Sequence, residues 1–369
     1  MNFSYNNKEK IVIWLSIFEQ LTLKKQHQLI SLYDNIEKLW QNFEKDKDKI
    51  IEITKEEAYN KMLFALDENF LNTYIRNCDD LGIKMVTYLS DEYPDLLKEA
   101  NNPPVVLYCK GDVTLLKSVC VAIVGTRRCT KYGREMTYKF AYDIAKSGIT
   151  VVSGLADGVD TIAHTATLDA HGKTIAILGG GLNNIYPATN GPLAKKILEN
   201  GGLILSEYQP SEKANAYNFP ARNRIIAGIS KGVLITEATE KSGTMHTKDY
   251  AVENNRDVFV VPGRLTDIYS SGCNKIIKNL QSSIVLSPED IISLYGHELV
   301  RNENNKNIQL TFDEQMVMNI LGTDEVHYDE LLAKMNVEAR GLTTLLLRME
   351  IKGLITRLPG NIYCRLKEL

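Results

Sequence analysis

The sequence predicts an α/β fold: a Rossmann-like, mostly parallel sheet with helices on both faces, flanked by a small helical N-terminal domain and a C-terminal winged helix. Three observations carry this prediction. Seven Val/Ile-rich runs of strand length alternate with amphipathic stretches of helical length between residues 119 and 287. Repeated strand–helix units of this kind form a parallel sheet covered on both faces. Apolar residues recur at near-helical spacing before that region, and three helical stretches followed by a hairpin come after it.

In chain order, residues 1–75 read as a helical domain resembling the sterile alpha motif in size. Leu29, Ile30, Leu32, Ile36 and Leu39 recur at helical spacing, and Trp14 and Trp40 are candidates for its core. The charged stretch 41–61 is either a solvated helix face or a loop. Residues 76–115 read as a connecting segment, because DEYPDLL and NNPPVVLYCKG place prolines where a helix cannot continue. Residues 116–296 form the Rossmann-like domain. Its strands are expected in VCVAIVG, ITVVSG, TIAILGG, GLILSE, GVLITEA, DVFVVPG and SSIVLS. These runs are continuously apolar, as strands buried on both faces should be. A polar linker at 297–309 leads to the winged helix at 310–369. Its helices are expected around Phe312–Leu321, Tyr328–Met335 and Glu338–Lys352, and its hairpin at 353–366 turns at Pro359-Gly360-Asn361.

Composition narrows the function classes. At 369 residues the chain is long enough for about two or three domains. No apolar run approaches the roughly 18 residues of a membrane span, and the N-terminus lacks the pattern of a signal peptide, so a cytoplasmic location is expected. Cys78, Cys109, Cys120, Cys129, Cys273 and Cys364 form no C-x-x-C pair and read as free thiols, with no disulfide framework and no metal site. The net charge is −3, but it is uneven. Residues 116–296 hold 20 Lys/Arg and 16 Asp/Glu, hence +4; the remainder holds 23 and 30, hence −7. Phosphate contacts should therefore be made by a few placed groups instead of a broad basic face.

In an open α/β sheet, ligands bind beyond the carboxyl ends of the strands. The residues that follow the strands here are Gly125-Thr126-Arg127-Arg128, Ser153-Gly154, Gly179-Gly180-Gly181, Ser206-Glu207, Glu237 with Ser242-Gly243-Thr244, and Pro262-Gly263. Glycine and small hydroxyl residues dominate this rim, which lets an anion meet backbone N–H groups. Tight βα turns alone would need some of these glycines, but several on one edge, near Arg127, Arg128, Arg222 and Arg224, point to a phosphate-binding rim. The known nucleotide motifs are missing. Gly172-Lys173-Thr174 resembles the end of a P-loop, yet Thr167 stands where that motif needs glycine and the segment precedes a strand. No G-x-G-x-x-G follows a strand, so no cofactor is expected. His164 and His171 lie on one helix without a third ligand, and His164 reads as a core histidine. Ser153 and Ser242 lack a nucleophile elbow. Asn218-Phe219-Pro220-Ala221-Arg222-Asn223-Arg224 is the strongest local feature. Two guanidinium forks beside an aromatic ring could hold phosphate and stack on a base. Equally, Phe219 could be the hydrophobic staple of a surface helix, and the local pattern leaves both readings open.

Seven ordered blocks, VAIVGTRRCTKYG, VVSGLADGVDTIAH, GKTIAILGGGLNNIYP, LSEY, FPARNRIIAGIS, TEATEKSGT and VFVVPG, resemble the DNA-processing protein A (Smf) family over about residues 93–292. The resemblance implies a non-enzymatic, cytoplasmic protein of bacterial transformation that binds and protects incoming single-stranded DNA. It also implies that the protein helps load the RecA recombinase and dimerises through the Rossmann-like domain. Carried over by motif, Gly125, Thr126, Arg127 and Gly154 belong to the DNA site. Phe219, Arg222, Asn223 and Arg224 line the strand's path, and Ser242, Gly243 and Thr244 offer hydroxyl and backbone donors.

The sequence departs from the family pattern in places. Ala188 and Thr189 follow Tyr186-Pro187 where many members have a basic residue, and Asn279-Leu280-Gln281 stands where a Gly-Ala pair is usual. Leu21–Lys25 lacks the glycine of a helix-hairpin-helix turn, so the N-terminal domain is not assigned DNA binding. Glu338, Arg340, Arg348, Glu350 and Lys352 give the third helix of the winged helix mixed charge, which suits a protein contact at least as well as DNA. Two alternatives come from other classes. One is a Rossmann-like nucleotide-binding phosphoribohydrolase or nucleotide sensor; the hydrolases need P-G-G-x-G-T-x-x-E, but Thr247 and Lys248 stand where the glutamate is required. A winged-helix transcription regulator with a ligand-sensing core is the third.

Overall fold

The computed structural model describes residues 3–296, 311–321, 326–335, 337–351, 354–358 and 360–365. The described chain divides into two compact units, 1–295 and 296–369.

The first unit is built on a nine-stranded sheet. Its strands are β1 (Lys84–Thr87), β2 (Val106–Gly111), β3 (Cys120–Val124), β4 (Thr150–Ser153), β5 (Thr174–Ile177), β6 (Leu203–Ser206), β7 (Gly232–Ile235), β8 (Asp257–Val260) and β9 (Ser283–Ile284). The spatial order is β1-β2-β6-β5-β4-β3-β7-β8-β9. All seven strands expected from the sequence form, and they run parallel from β6 to β9. Successive residues enter opposite cores: Leu203 and Leu205 join one buried cluster, and Ile204 the other. This two-sided burial is why the runs are continuously apolar.

Residues 84–111, expected as a connection, instead extend the sheet: β2 pairs antiparallel with the β6 edge, with Tyr108 opposite Ser206, and β1 pairs antiparallel with β2. Pro103 and Pro104 only shape the approach to β2, whose own residues VLYC are buried. The N-terminal helices, which include Asn7–Ser16, Leu23–Ile30 and Glu68–Asp80, share a buried cluster with this side of the sheet. The charged stretch 41–61 runs through the helices Lys47–Thr54 and Glu56–Phe64. Trp14 is fully buried, donates its indole N–H to the Ala65 carbonyl at 2.9 Å, and meets Trp40 edge-on at 5.2 Å.

The parallel strands reverse their order of succession between β3 and β7. The chain leaves β3 toward β4 on one side, and leaves β7 toward β8 on the other. The loops after these two strands therefore diverge and open a crevice at the carboxyl edge.

The second unit has the helices Phe312–Leu321, Tyr328–Met335 and Ala339–Ile351, and the hairpin strands Ile355–Leu358 and Ile362–Arg365. A short strand, Val326–His327, pairs with the second hairpin strand. This is the winged helix expected from the sequence, closed over Val317, Leu331, Leu346 and Met349. The linker 297–309, Lys352 and the turn residue Pro359 lie outside the described residues. All six cysteines are free. Among the described residues no helix is long and apolar enough to cross a membrane.

Candidate nucleic-acid interface

The crevice between β3 and β7 is a cleft of about 550 Å³. Nine of the eleven site residues expected from the sequence line it: Gly125, Thr126 and Arg127 from the β3 loop, Phe219, Arg222 and Asn223 from the helix Asn218–Gly228, and Ser242, Gly243 and Thr244 at the start of the helix Thr244–Glu253. Gly154 and Arg224 are not brought into it.

The β3 loop packs too tightly for side chains at its base. A Cβ on Gly125 would lie 2.6 Å from Val159 and 2.7 Å from the Glu237 carbonyl. Thr126 is buried, and its N–H donates to the Glu237 carbonyl at 2.8 Å. Arg127 and Arg128 then emerge exposed at the crown of the loop. The Arg127 guanidinium lies 5.4 Å from the centre of the Phe219 ring, within cation–π range. Phe219 is half-buried and fixed on three sides: by Arg127, by Tyr186 with ring centres 5.4 Å apart, and by Gly179, where a Cβ would come within 2.9 Å of the ring. Tyr186 keeps 54% of its surface exposed at the cleft. Tyr186 is not legible as a site residue in the sequence, because its nearness to Phe219 is created by the loop after β5.

The two arginines of the helix Asn218–Gly228 have separate surroundings. The helix starts at Asn218, so Phe219 and Pro220 occupy its first turn and the arginines its second. Two residues apart on a helix is about 200°, so their side chains diverge. Arg222 is 4% exposed and donates to the carbonyls of Gly154 (2.6 Å) and Ile177 at the ends of β4 and β5. Burial pulls its guanidinium down to about 10, opposed by the nearby Asp160 carboxylate. Asp160 accepts the N–H groups of Gly154 (3.1 Å) and Ala156 (3.3 Å), and burial pushes its pKa up against the pull of Arg222. Gly154 thus has both backbone groups engaged, and a Cβ there would lie 2.5 Å from the Arg222 guanidinium. Arg222 forms part of the cleft floor, with Gly154 beneath it. Arg224 is 8% exposed and forms an ion pair with the Glu207 carboxylate after β6.

On the β7 wall, the Ser242 and Thr244 hydroxyls are 2.9 Å apart, and Ser242 Oγ accepts the Thr244 N–H at 3.2 Å. Asn223 reaches across to the Gly243 carbonyl at 3.4 Å. Hydroxyls and a helix N-terminus here face the exposed arginine of the β3 loop, an arrangement suited to an anion that also carries an apolar or aromatic part. Thr247 lines the cleft, Lys248 pairs with Asp249 at 2.6 Å, and the carboxylate that lines the cleft is Asp160, held by the Gly154 and Ala156 N–H groups. His164 is fully buried, as expected of a core histidine, with Nδ1 2.7 Å from the Thr174 hydroxyl; His171 lies just beyond its helix, Val159–Asp169.

Comparisons with known proteins place the chain among relatives. Residues 84–296 match the family model described as DNA recombination-mediator protein A, and residues 303–361 match that of the DprA winged helix domain. The chain is 42% identical over 211 residues to the DNA processing protein DprA of Bacillus subtilis, covering 57% of this chain and 70% of that one. It is 43% identical over 236 residues to the DprA of Streptococcus pneumoniae, covering 64% and 81%. Among solved structures, the Streptococcus pneumoniae protein matches with a TM-score of 0.65 and 33% identity, over 79% of this chain and 98% of that chain. A structure of DNA processing protein A from Helicobacter pylori, concerned with its mode of binding single-stranded DNA, matches with a TM-score of 0.52 and 34% identity, over 59% and 97%.

Proposed function

Because this chain belongs to the DNA recombination-mediator protein A family, we propose that the β3–β7 cleft binds single-stranded DNA without catalysing a reaction on it. The observation that carries this reading is the meeting of Arg127, the half-exposed Tyr186–Phe219 pair and the Ser242–Thr244 loop in one open crevice. A strand offers both things such a crevice can hold, a phosphate for the arginine and hydroxyls, and an unpaired base for the rings. The single-stranded DNA binding mode of the Helicobacter pylori relative supports the same reading. Gly125, Thr126, Arg127, Phe219, Asn223, Ser242, Gly243 and Thr244 make the contacts; Arg222, with Gly154 beneath it, forms the floor, and Arg224 serves the fold through its pair with Glu207. Titration of labelled single- and double-stranded oligonucleotides of one sequence tests this. Tighter binding of the single strand supports it, and sequence-selective duplex binding points to a transcription regulator instead.

Wider roles follow from the same family. We propose that the protein acts in the cytoplasm during transformation, protects incoming strands and helps load RecA. It forms a homodimer through the Rossmann-like domain. Support for the dimer comes from the sheet edge, where Leu280, Ile284 and Leu286 around β9 are 92%, 51% and 77% exposed. Sedimentation of the full chain and RecA-driven strand exchange with and without it test these two roles.

A further inference from the structure

We infer that Glu237 is the positioning residue that aims the arginines of the β3 loop, an inference that rests on the reading of the cleft as a single-strand site. Glu237 follows β7 and is 1% exposed. It tethers the stretch 126–130 at both ends. Its backbone carbonyl accepts the Thr126 N–H at 2.8 Å. Its carboxylate accepts the Thr130 N–H at 2.8 Å and the Thr130 hydroxyl at 2.5 Å. Arg127 and Arg128, both exposed, stand between the two tethers. Within the loop, the Thr126 hydroxyl oxygen accepts the Arg128 N–H at 3.2 Å, which tightens the crown. Gly158 backs it from beneath, where a Cβ would fall 2.4 Å from the Thr126 carbonyl.

The carboxylate also occupies a position with its own electrostatic meaning. Thr130 caps the 16-residue helix Lys131–Lys146 by accepting the Gly133 N–H at 3.1 Å. Glu237 therefore sits at that helix's N-terminus, where unpaired N–H groups and the helix dipole favour an anion. Dinucleotide-binding sheets place a pyrophosphate after the first strand at such a terminus. Here the chain supplies the anion itself, and Gly133 leaves room for it: a Cβ there would lie 2.4 Å from the carboxylate. A phosphate entering the cleft meets the arginines that Glu237 holds in place, and the helix end is already filled.

The test is a double-mutant cycle on the full chain, using a labelled thymidine homopolymer at several salt concentrations and a melting curve for each variant. Glu237→Gln should weaken binding about tenfold, the scale of a lost charge-assisted hydrogen bond. Its salt dependence should fall toward that of Arg127→Ala. In the Glu237→Gln background, Arg127→Ala should then add little, whereas Tyr186→Ala should add its full loss. Gly133→Ala, which displaces the carboxylate without removing its charge, should reproduce this pattern. Additive losses for Glu237→Gln and Arg127→Ala overturn the proposal. So does a lowered melting temperature with unchanged affinity of the folded fraction. Failure of the wild-type chain to bind the strand overturns the single-strand reading and this inference with it; wild-type binding with additive losses overturns the role of Glu237 alone.

Discussion

Arg127 is the residue on which the cleft's charge depends most directly. It is exposed, so Arg127→Ala opens no cavity and should leave the circular dichroism spectrum and melting curve unchanged. Loss of one phosphate contact should lower single-strand affinity and reduce the salt slope by about 0.7. Unchanged affinity of the folded variant would remove Arg127 from the site. The aromatic pair should behave differently. Tyr186 presents the more exposed ring, so Tyr186→Ala should cost about 1–3 kcal/mol of binding at every salt concentration with little change in slope. Phe219 supports both Tyr186 and Arg127, so Phe219→Ala should lose affinity and also disturb the salt slope. Equal slopes for Phe219→Ala and the wild type would show that the ring does not hold Arg127. The sequence leaves Phe219 open as platform or staple; in the structure its ring lies within the first helical turn, packed on Gly179 and half-buried at the cleft.

At the level of elements, buried polar groups fix how the strands and helices end. Arg224 and Glu207 are each about one-tenth exposed at the side chain, so removal of one leaves the other buried without its partner. Arg224→Ala should therefore destabilise the fold by about 3–5 kcal/mol, measured by denaturant unfolding. A change within error would show the pair to be hydrated in solution. His164, inside the helix Val159–Asp169, gives a pH test. Burial lowers its pKa from 6.5 to about 3, so the folded chain keeps it neutral while the unfolded chain protonates below 6.5. Its contribution is fully present above pH 6.5 and is lost as pH falls toward about 3. His164→Gln should flatten the stability profile in that window, and an unaltered profile would contradict the assignment. These examples show what the sequence could reveal. The Val/Ile runs marked all seven parallel strands, because burial on both faces dictates composition, and the turns after β3 and β7 marked Gly125–Arg127 and Ser242–Thr244 of the cleft lining. The directions of Arg222 and Arg224 were not legible, since they depend on which strand ends the helix crosses. Nor were β1 and β2, since β2 joins the sheet by non-local pairing with β6 and the prolines between the two strands mimic a linker.

The whole molecule joins a sheet-based unit that carries the cleft to a winged helix with its own buried core. Residues 1–296 expressed alone should therefore fold and bind single strands within a few-fold of the full chain, and a large loss would assign the winged helix a direct part in binding. On the proposed function, the β3–β7 cleft holds single-stranded DNA by a few placed groups. This is tested most directly by competition between single- and double-stranded oligonucleotides of one sequence, titrated over a range of salt with the wild type and Arg127→Ala side by side. The expected result is tighter binding of the single strand, indifference to its sequence, and a salt slope that Arg127→Ala reduces by about 0.7. Preference for a particular duplex sequence, or single-strand binding that Arg127→Ala leaves intact in both affinity and slope, would contradict it.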